Sequence, residues 1–168
     1  MKLHISGKAK KKIMNMPDKP IAQKITVYTI GFTKKSARTF FELLKRSGIR
    51  QLIDIRLNNE SQLAGFTKKA DLEYFLKEIS NIEYSHRPEF APTKDILDGY
   101  KKKKLTWADY EQQFQTLLRE RRVEDLITAA ELDNACLLCS EPTPGECHRR
   151  LVAEYLHSKL SDIEIRHL

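Results

Sequence analysis

A chain of 168 residues with 40% apolar content is long enough for one soluble domain with a full hydrophobic core, and its 30 basic against 23 acidic side chains give a formal net charge of +7. No apolar run approaches the roughly 20 residues that span a bilayer, and the basic N-terminus has no apolar stretch like that of a signal peptide, so neither a membrane protein nor a secreted one is expected and the protein is placed in the cytoplasm. Three cysteines, an odd number, argue against a secreted disulfide framework.

The charge is uneven. Residues 1–24 hold seven lysines and one aspartate, a net of +6, whereas the rest of the chain holds 23 basic and 22 acidic side chains. This leading segment has no hydrophobic period and contains Lys10, Lys11 and Lys12 in a row, so it reads as a mostly disordered arm ahead of a single domain over residues 25–168. Such an arm serves as a solubilising tail or holds nucleic acid non-specifically through phosphate contacts.

Ile25 to Ile30 is a β-branched run that reads as a buried first strand ending at Gly31. Ser36 is positioned to cap a helix whose inward face is Ala37, Phe40, Phe41 and Leu44, stopped by Gly48. Gln51 to Ile55 is a second buried strand that delivers Asp54 and Arg56, and residues 57–67 form a polar loop. A helix from Lys69 to Ile79 turns Leu72, Phe75 and Leu76 inward, and Ile82 to His86 alternates as a third strand. After an irregular stretch come a short helical pattern from Thr93 to Tyr100 and the lysines 101–104. Thr106 then caps a long helix with Asp109 at the box position and Trp107, Tyr110, Phe114 and Leu117 as its stripe. Val123 to Ala130 continues helically.

The apolar run Leu132 to Leu138 reads as a fourth strand ending in Cys139, Ser140 and Glu141, and Pro142, Pro144 and Gly145 forbid its continuation. Thr143 and Glu146 have the spacing of a capping box with Pro144 at the first helical position, which puts Cys147 in the first turn of a helix that buries Leu151, Val152, Tyr155 and Leu156. Asp162 to His167 alternates as a last strand. This alternation predicts an α/β fold, a mainly parallel five-stranded sheet with helices on both faces. A strand order of 3-2-1-4-5 would open a crevice between the first and fourth strands, beyond their carboxyl ends.

Thr29-Ile-Gly31-Phe32, Asp54-Ile-Arg56, Tyr84-Ser-His86 and Leu137-Leu-Cys139-Ser-Glu141 with Cys147-His148-Arg149 carry a family signature. In this order they resemble the domain of unknown function 488 family over about residues 25–168. The segments Leu57 to Phe66 and Phe90-Ala-Pro92-Thr93 are similar to one subgroup of it. Many relatives have His-Ser where this chain has Phe32-Thr33, and an apolar residue at Cys136. The resemblance implies an intracellular α/β domain and no particular reaction.

Chemistry must then be read from residue types. A thiol in the first turn of a helix, beside His148, Arg149 and Arg150, has the setting of an activated nucleophile, so Cys147 is a catalytic candidate, with Cys139 at the strand end as the other. Meeting across the turn, the two would permit a reversible disulfide. Glu141, His148 and His86 are acid–base candidates. Arg56, oriented by Asp54, and Arg149 are candidates to hold an anion near Gly31 and Thr33. A four-ligand zinc site from Cys136, Cys139, Cys147 and His148 is disfavoured. Strand residues three apart face opposite sides, and adjacent helical residues point about 100° apart. No metal or cofactor is assigned; a transient metal on Cys139, Glu141 and His148 is the weaker alternative. The leading expectation is an enzyme acting on an anionic small molecule or nucleic acid. Its rivals are a non-catalytic nucleic-acid module using the arm with Lys101, Lys102, Lys103 and Lys104, and a thiol redox sensor.

Overall fold

The computed structural model describes residues 24–60, 65–160 and 162–168. Ala135–Cys139 is the strand on which the others are arranged: all five residues are buried and none before Cys139 is polar. A strand that is apolar on both faces belongs in the middle of a sheet covered on both sides, and that is where it lies. Numbered along the chain, Ile25–Gly31 is β1, Gln51–Asp54 is β2, Glu83–His86 is β3, Ala135–Cys139 is β4 and Ile163–His167 is β5. They form one all-parallel sheet in the order β3-β2-β4-β1-β5. The expected order 3-2-1-4-5 is therefore corrected, because β4 inserts between β2 and β1. The connections nonetheless leave β1 and β4 in opposite directions, so the switch point still falls between these two neighbours.

The helices are Ala37–Arg46 (α1), Lys69–Phe75 (α2), Lys94–Lys101 (α3), Trp107–Arg121 (α4), Ala129–Leu132 (α5) and His148–Lys159 (α6). Phe40, Phe41 and Leu44 of α1 and Leu72 of α2 pack with Leu52, Cys136 and Leu138 on one face of the sheet. Phe114 and Leu118 of α4 and Leu151, Val152 and Leu156 of α6 pack with Val27, Ile53, Ala135 and Leu137 on the other. Each such side chain contributes about 1.5–3 kcal/mol by leaving water. Alternation along β4 thus sends Cys136 to the α1 side and leaves Cys139 on the parity of Ala135 and Leu137, the α6 side.

Three element readings change ahead of α6. Residues 123–130 are not one helix: Arg122 takes a left-handed conformation (φ 48°), Val123–Asp125 is a 3₁₀ turn, and Thr128 caps the short α5 through a box with Glu131. Leu132 closes α5, so β4 begins only at Ala135, after Asn134 at φ 56°. The helix expected to reach Ile79 is α-helical only to Phe75 and widens into a π-type turn over Leu76–Ser80. Lys10, Lys11 and Lys12 lie outside the described residues. Lys24, counted with the arm, pairs with Glu164 of β5 at 2.9 Å. No helix among the described residues is long and apolar enough to cross a membrane.

Candidate functional site

The carboxyl ends of β2, β3, β4 and β1 share one edge of the sheet, so Asp54, Arg56, His86, Cys139, Glu141 and Gly31 all lie along it. They separate into two clusters.

At the end of β2, Arg56 is 4% exposed and Asp54 fully buried. Arg56 donates Nε to Asp54 Oδ1 (2.8 Å), Nη2 to Oδ2 (2.6 Å) and Nη2 to the Thr67 carbonyl (2.8 Å). Asp54 also accepts from the Arg56 backbone N–H and from the Tyr84 hydroxyl, which in turn accepts from Asn59 Nδ2. Burial and the Asp54 charge push the Tyr84 hydroxyl pKa up, so it stays a donor. His86 Nε2 donates to the Arg56 carbonyl at 2.9 Å. Arg56, Asp54 and His86 are thus held by one another and by the chain that follows β2. Tyr84, Asn59 and Thr67 complete this network and were not among the sequence candidates. Tyr84 lay in the signature stretch Tyr84-Ser-His86 and Asn59 in the segment Leu57 to Phe66, but neither residue type by itself pointed to a partner for Asp54 or Arg56.

At the end of β4 the second cluster forms around sulfur. Helix α6 begins at His148, so Cys147 is its N-cap and makes no side-chain cap bond. The Thr143–Glu146 capping box does not form, and Pro144 lies in the loop before the helix. Glu146 instead accepts from the Tyr100 hydroxyl (2.6 Å), and Arg150 Nε donates to the Gly145 carbonyl. Because Cys147 is extended (φ −143°, ψ 135°), its side chain does not follow the helical progression, and it converges with its neighbour His148. The ligand atoms of Cys139, Cys147 and His148 lie within 4.8 Å of one another, and all three residues are buried. Cys136 is free, buried and on the opposite face.

His148 Nε2 lies 2.9 Å from the Ile55 carbonyl, which can only accept, so Nε2 carries a proton. Nδ1 then faces the Cys139 sulfur at 3.3 Å. Burial holds the His148 pKa below the ordinary value. Burial would also raise Cys139, but hydrogen bonding from Cys147, the backbone N–H groups of Glu141 and Ser140 and the charge of Arg149 outweigh it and lower this thiol. Cys147 is pushed up, by its hydrogen bond to Cys139 and then by burial. Burial and the neighbouring sulfurs raise Tyr110 as well.

Arg149 is fully buried. Its Nη1 donates to the Glu141 carbonyl at 2.6 Å and to Cys147 Sγ at 3.2 Å, while Nε and Nη2 are buried with no hydrogen-bond partner among the described residues. No carboxylate stands within ion-pair distance of it there. The Glu141 carboxylate is exposed; its carbonyl is what Arg149 uses. Gly31 pairs in register with Cys139, and a Cβ there would sit 1.6 Å from the Glu141 carbonyl oxygen and 2.9 Å from Arg149 Nη1. Its lack of a side chain admits the loop. Thr33 contributes its backbone N–H to the Ser140 carbonyl (3.1 Å), with its side chain exposed.

Lys101, Lys102, Lys103 and Lys104 are exposed where α3 ends. Beside them Trp107 stacks on Tyr110, with 5.0 Å between the rings, and Tyr100 meets Trp107 edge-on and Tyr110 at a tilt. An apolar groove lined by Ala37, Phe41, Phe66, Phe75 and Ile79 contains none of the thiol cluster.

Among known proteins, no curated protein and no solved structure matches the chain significantly. A family model described as domain of unknown function DUF488 matches residues 36–156. That span takes in β2, β3, β4 and the whole sulfur cluster, and covers well over half of the sequence. The chain belongs to the DUF488 family.

Proposed function

We propose that this protein is a dithiol–disulfide redox protein in which Cys139 and Cys147 are the couple. The observation that carries this reading is Arg149: a fully buried guanidinium that donates to the Glu141 carbonyl and to the Cys147 sulfur, with no carboxylate within ion-pair distance among the described residues. A buried cation of this kind favours thiolate on the adjacent sulfurs. Those sulfurs are close enough for small side-chain motions to join them. Arg56, the other arginine considered for anion holding, is already neutralised by Asp54, which weakens the case for an anionic substrate.

The step balances with a hydroperoxide as oxidant. The Cys139 thiolate attacks the peroxide oxygen, the O–O bond breaks, and hydroxide or alkoxide leaves with the electron pair and takes a proton. Cys147 then attacks the Cys139 sulfenic acid, the S–O bond breaks and water leaves, so two cysteines are oxidised as one peroxide is reduced. An external thiol returns the pair to the dithiol.

The test is treatment of the reduced full-length chain with hydrogen peroxide, followed by peptide mass spectrometry without reductant. A Cys139–Cys147 cross-link is expected, and Cys147→Ser should stop at a sulfenic acid on Cys139 that dimedone traps. Thiols that react only after unfolding, or oxidation confined to Cys136, would overturn the reading.

A further inference from the structure

We propose that the reduced cluster of Cys139, Cys147 and His148 binds a soft monovalent metal ion, Cu(I) in character, through two thiolates and one imidazole. The inference rests on the dithiol reading only in needing both thiols reduced and reactive. Its basis is geometric. The two sulfurs and one ring nitrogen lie within 4.8 Å of one another, a spread that a single ion among them can bridge. The bond from His148 Nε2 to the Ile55 carbonyl leaves Nδ1 as the nitrogen facing Cys139. This is the outer-shell contact that fixes the tautomer of metal-binding histidines. A sulfur and a ring nitrogen that face each other with lone pairs need a positive charge between them, a proton or a metal ion.

The ligand set is soft, which selects Cu(I) or zinc over harder cations. Charge decides between these two. Two thiolates carry two negative charges, and Arg149, donating to Cys147 Sγ at 3.2 Å, returns one positive charge. A monovalent ion makes the buried site neutral, whereas a divalent ion leaves it with an uncompensated positive charge, which is costly in such surroundings. Cys136 takes no part, since it lies across the sheet.

The experiment is anaerobic titration of the reduced full-length protein with Cu(I) against a chromogenic Cu(I) chelator, with a parallel titration by zinc. One equivalent of Cu(I) is expected to be taken from the chelator, with X-ray absorption showing sulfur and nitrogen scatterers together. Cys139→Ser, Cys147→Ser and His148→Gln should each lose that binding, and Cys136→Ala should keep it. Because a variant can fail by misfolding, the unaltered protein supplies the second measurement: bound Cu(I) should protect Cys139 and Cys147 from alkylation. Absence of Cu(I) binding, unprotected thiols, or zinc bound in preference to Cu(I) would overturn the inference. Peroxide cross-linking without Cu(I) binding would remove this inference and leave the dithiol reading standing. Cu(I) binding without cross-linking would support the inference and remove that reading.

Discussion

Two buried arginines on one edge of the same sheet have opposite circumstances. Arg56 meets Asp54 through two side-chain hydrogen bonds, and the pair is closed further by Thr67 and Tyr84. Arg149 has one carbonyl and one sulfur on a single nitrogen, and two nitrogens without a partner among the described residues. In the first cluster the fold neutralises its own charge, so the arginine acts as a fastener for the chain leaving β2. In the second, the charge is left to the thiols. Burial and residue type do not separate a structural arginine from a functional one here; the identity of the anion beside it does.

The largest expected effect tests the first half of that contrast. Asp54→Ala leaves the Arg56 charge buried and alone, which should cost about 3–5 kcal/mol in chemical denaturation. Removing both charges, as Asp54→Ala with Arg56→Met, should recover much of the loss. Arg149→Met should behave differently. It forfeits the bonds of a charged donor to the Glu141 carbonyl and the Cys147 sulfur, about 1.5–3 kcal/mol for such a bond, but removes a cation that no described carboxylate neutralises, so its cost should stay below that of Asp54→Ala. Its effect should appear instead as slower peroxide-driven cross-linking of Cys139 and Cys147. If Arg149→Met destabilises the protein as much as Asp54→Ala does, the two arginines are alike and the contrast fails.

Next in size is Gly31→Ala. The added Cβ would run into the Glu141 carbonyl oxygen, and backbone rather than a flexible side chain must yield. A cost at the upper end of the roughly 1–3 kcal/mol typical of overpacking is expected. Because that movement shifts the loop carrying the Arg149 contact, cross-linking should slow as well. An unchanged denaturation midpoint together with an unchanged cross-linking rate would show that the loop does not depend on this close approach.

Much of this was legible in the sequence, for identifiable reasons. The alternation of apolar runs and helical stripes set the strands and the parallel sheet, and the types of residue at the strand ends collected one edge correctly. Strand order was not legible, because β4 pairs with both β2 and β1 and so separates them, which no local pattern in any one strand specifies. The start of α6 was misread because Thr143 and Glu146 have capping-box spacing while Glu146 is engaged by Tyr100, a residue 46 positions away. That misreading also concealed the cluster. With Cys147 placed inside a helix, its thiol and the His148 ring seemed to diverge; as an extended N-cap it joins them. The carboxylate partner of Arg56 was readable at a spacing of two where β2 ends, whereas the lack of a described carboxylate near Arg149 is a property of the tertiary structure alone.

The smallest expected effect lies far from the edge, in a carboxylate whose partner is local and exposed. At the start of α4, Thr106 Oγ1 accepts from the Asp109 N–H (3.2 Å), and Asp109 Oδ2 accepts from the Thr106 N–H (3.0 Å) and hydroxyl (2.6 Å). The Thr106 hydroxyl, then its N–H, lowers the Asp109 pKa, with burial opposing weakly. A folded-state pKa below the unfolded one contributes stability that is present above the unfolded value, about 3.9 for aspartate, and is lost as pH falls through the folded value. Asp109→Asn should therefore lower the denaturation midpoint slightly near pH 6, and the gap to the parent protein should narrow as pH falls below the unfolded value of about 3.9 and the parent's carboxylate protonates. Thr106→Ala, which removes the reciprocal acceptor, should cost about 1 kcal/mol and weaken the pH dependence due to Asp109. If the gap between Asp109→Asn and the parent stays constant across that range, the contribution does not come from the ionised carboxylate. A local cap of this kind is closed within four residues of sequence, which is why it was readable at once, whereas the charge of Arg149 is matched only by groups that the fold carries to it.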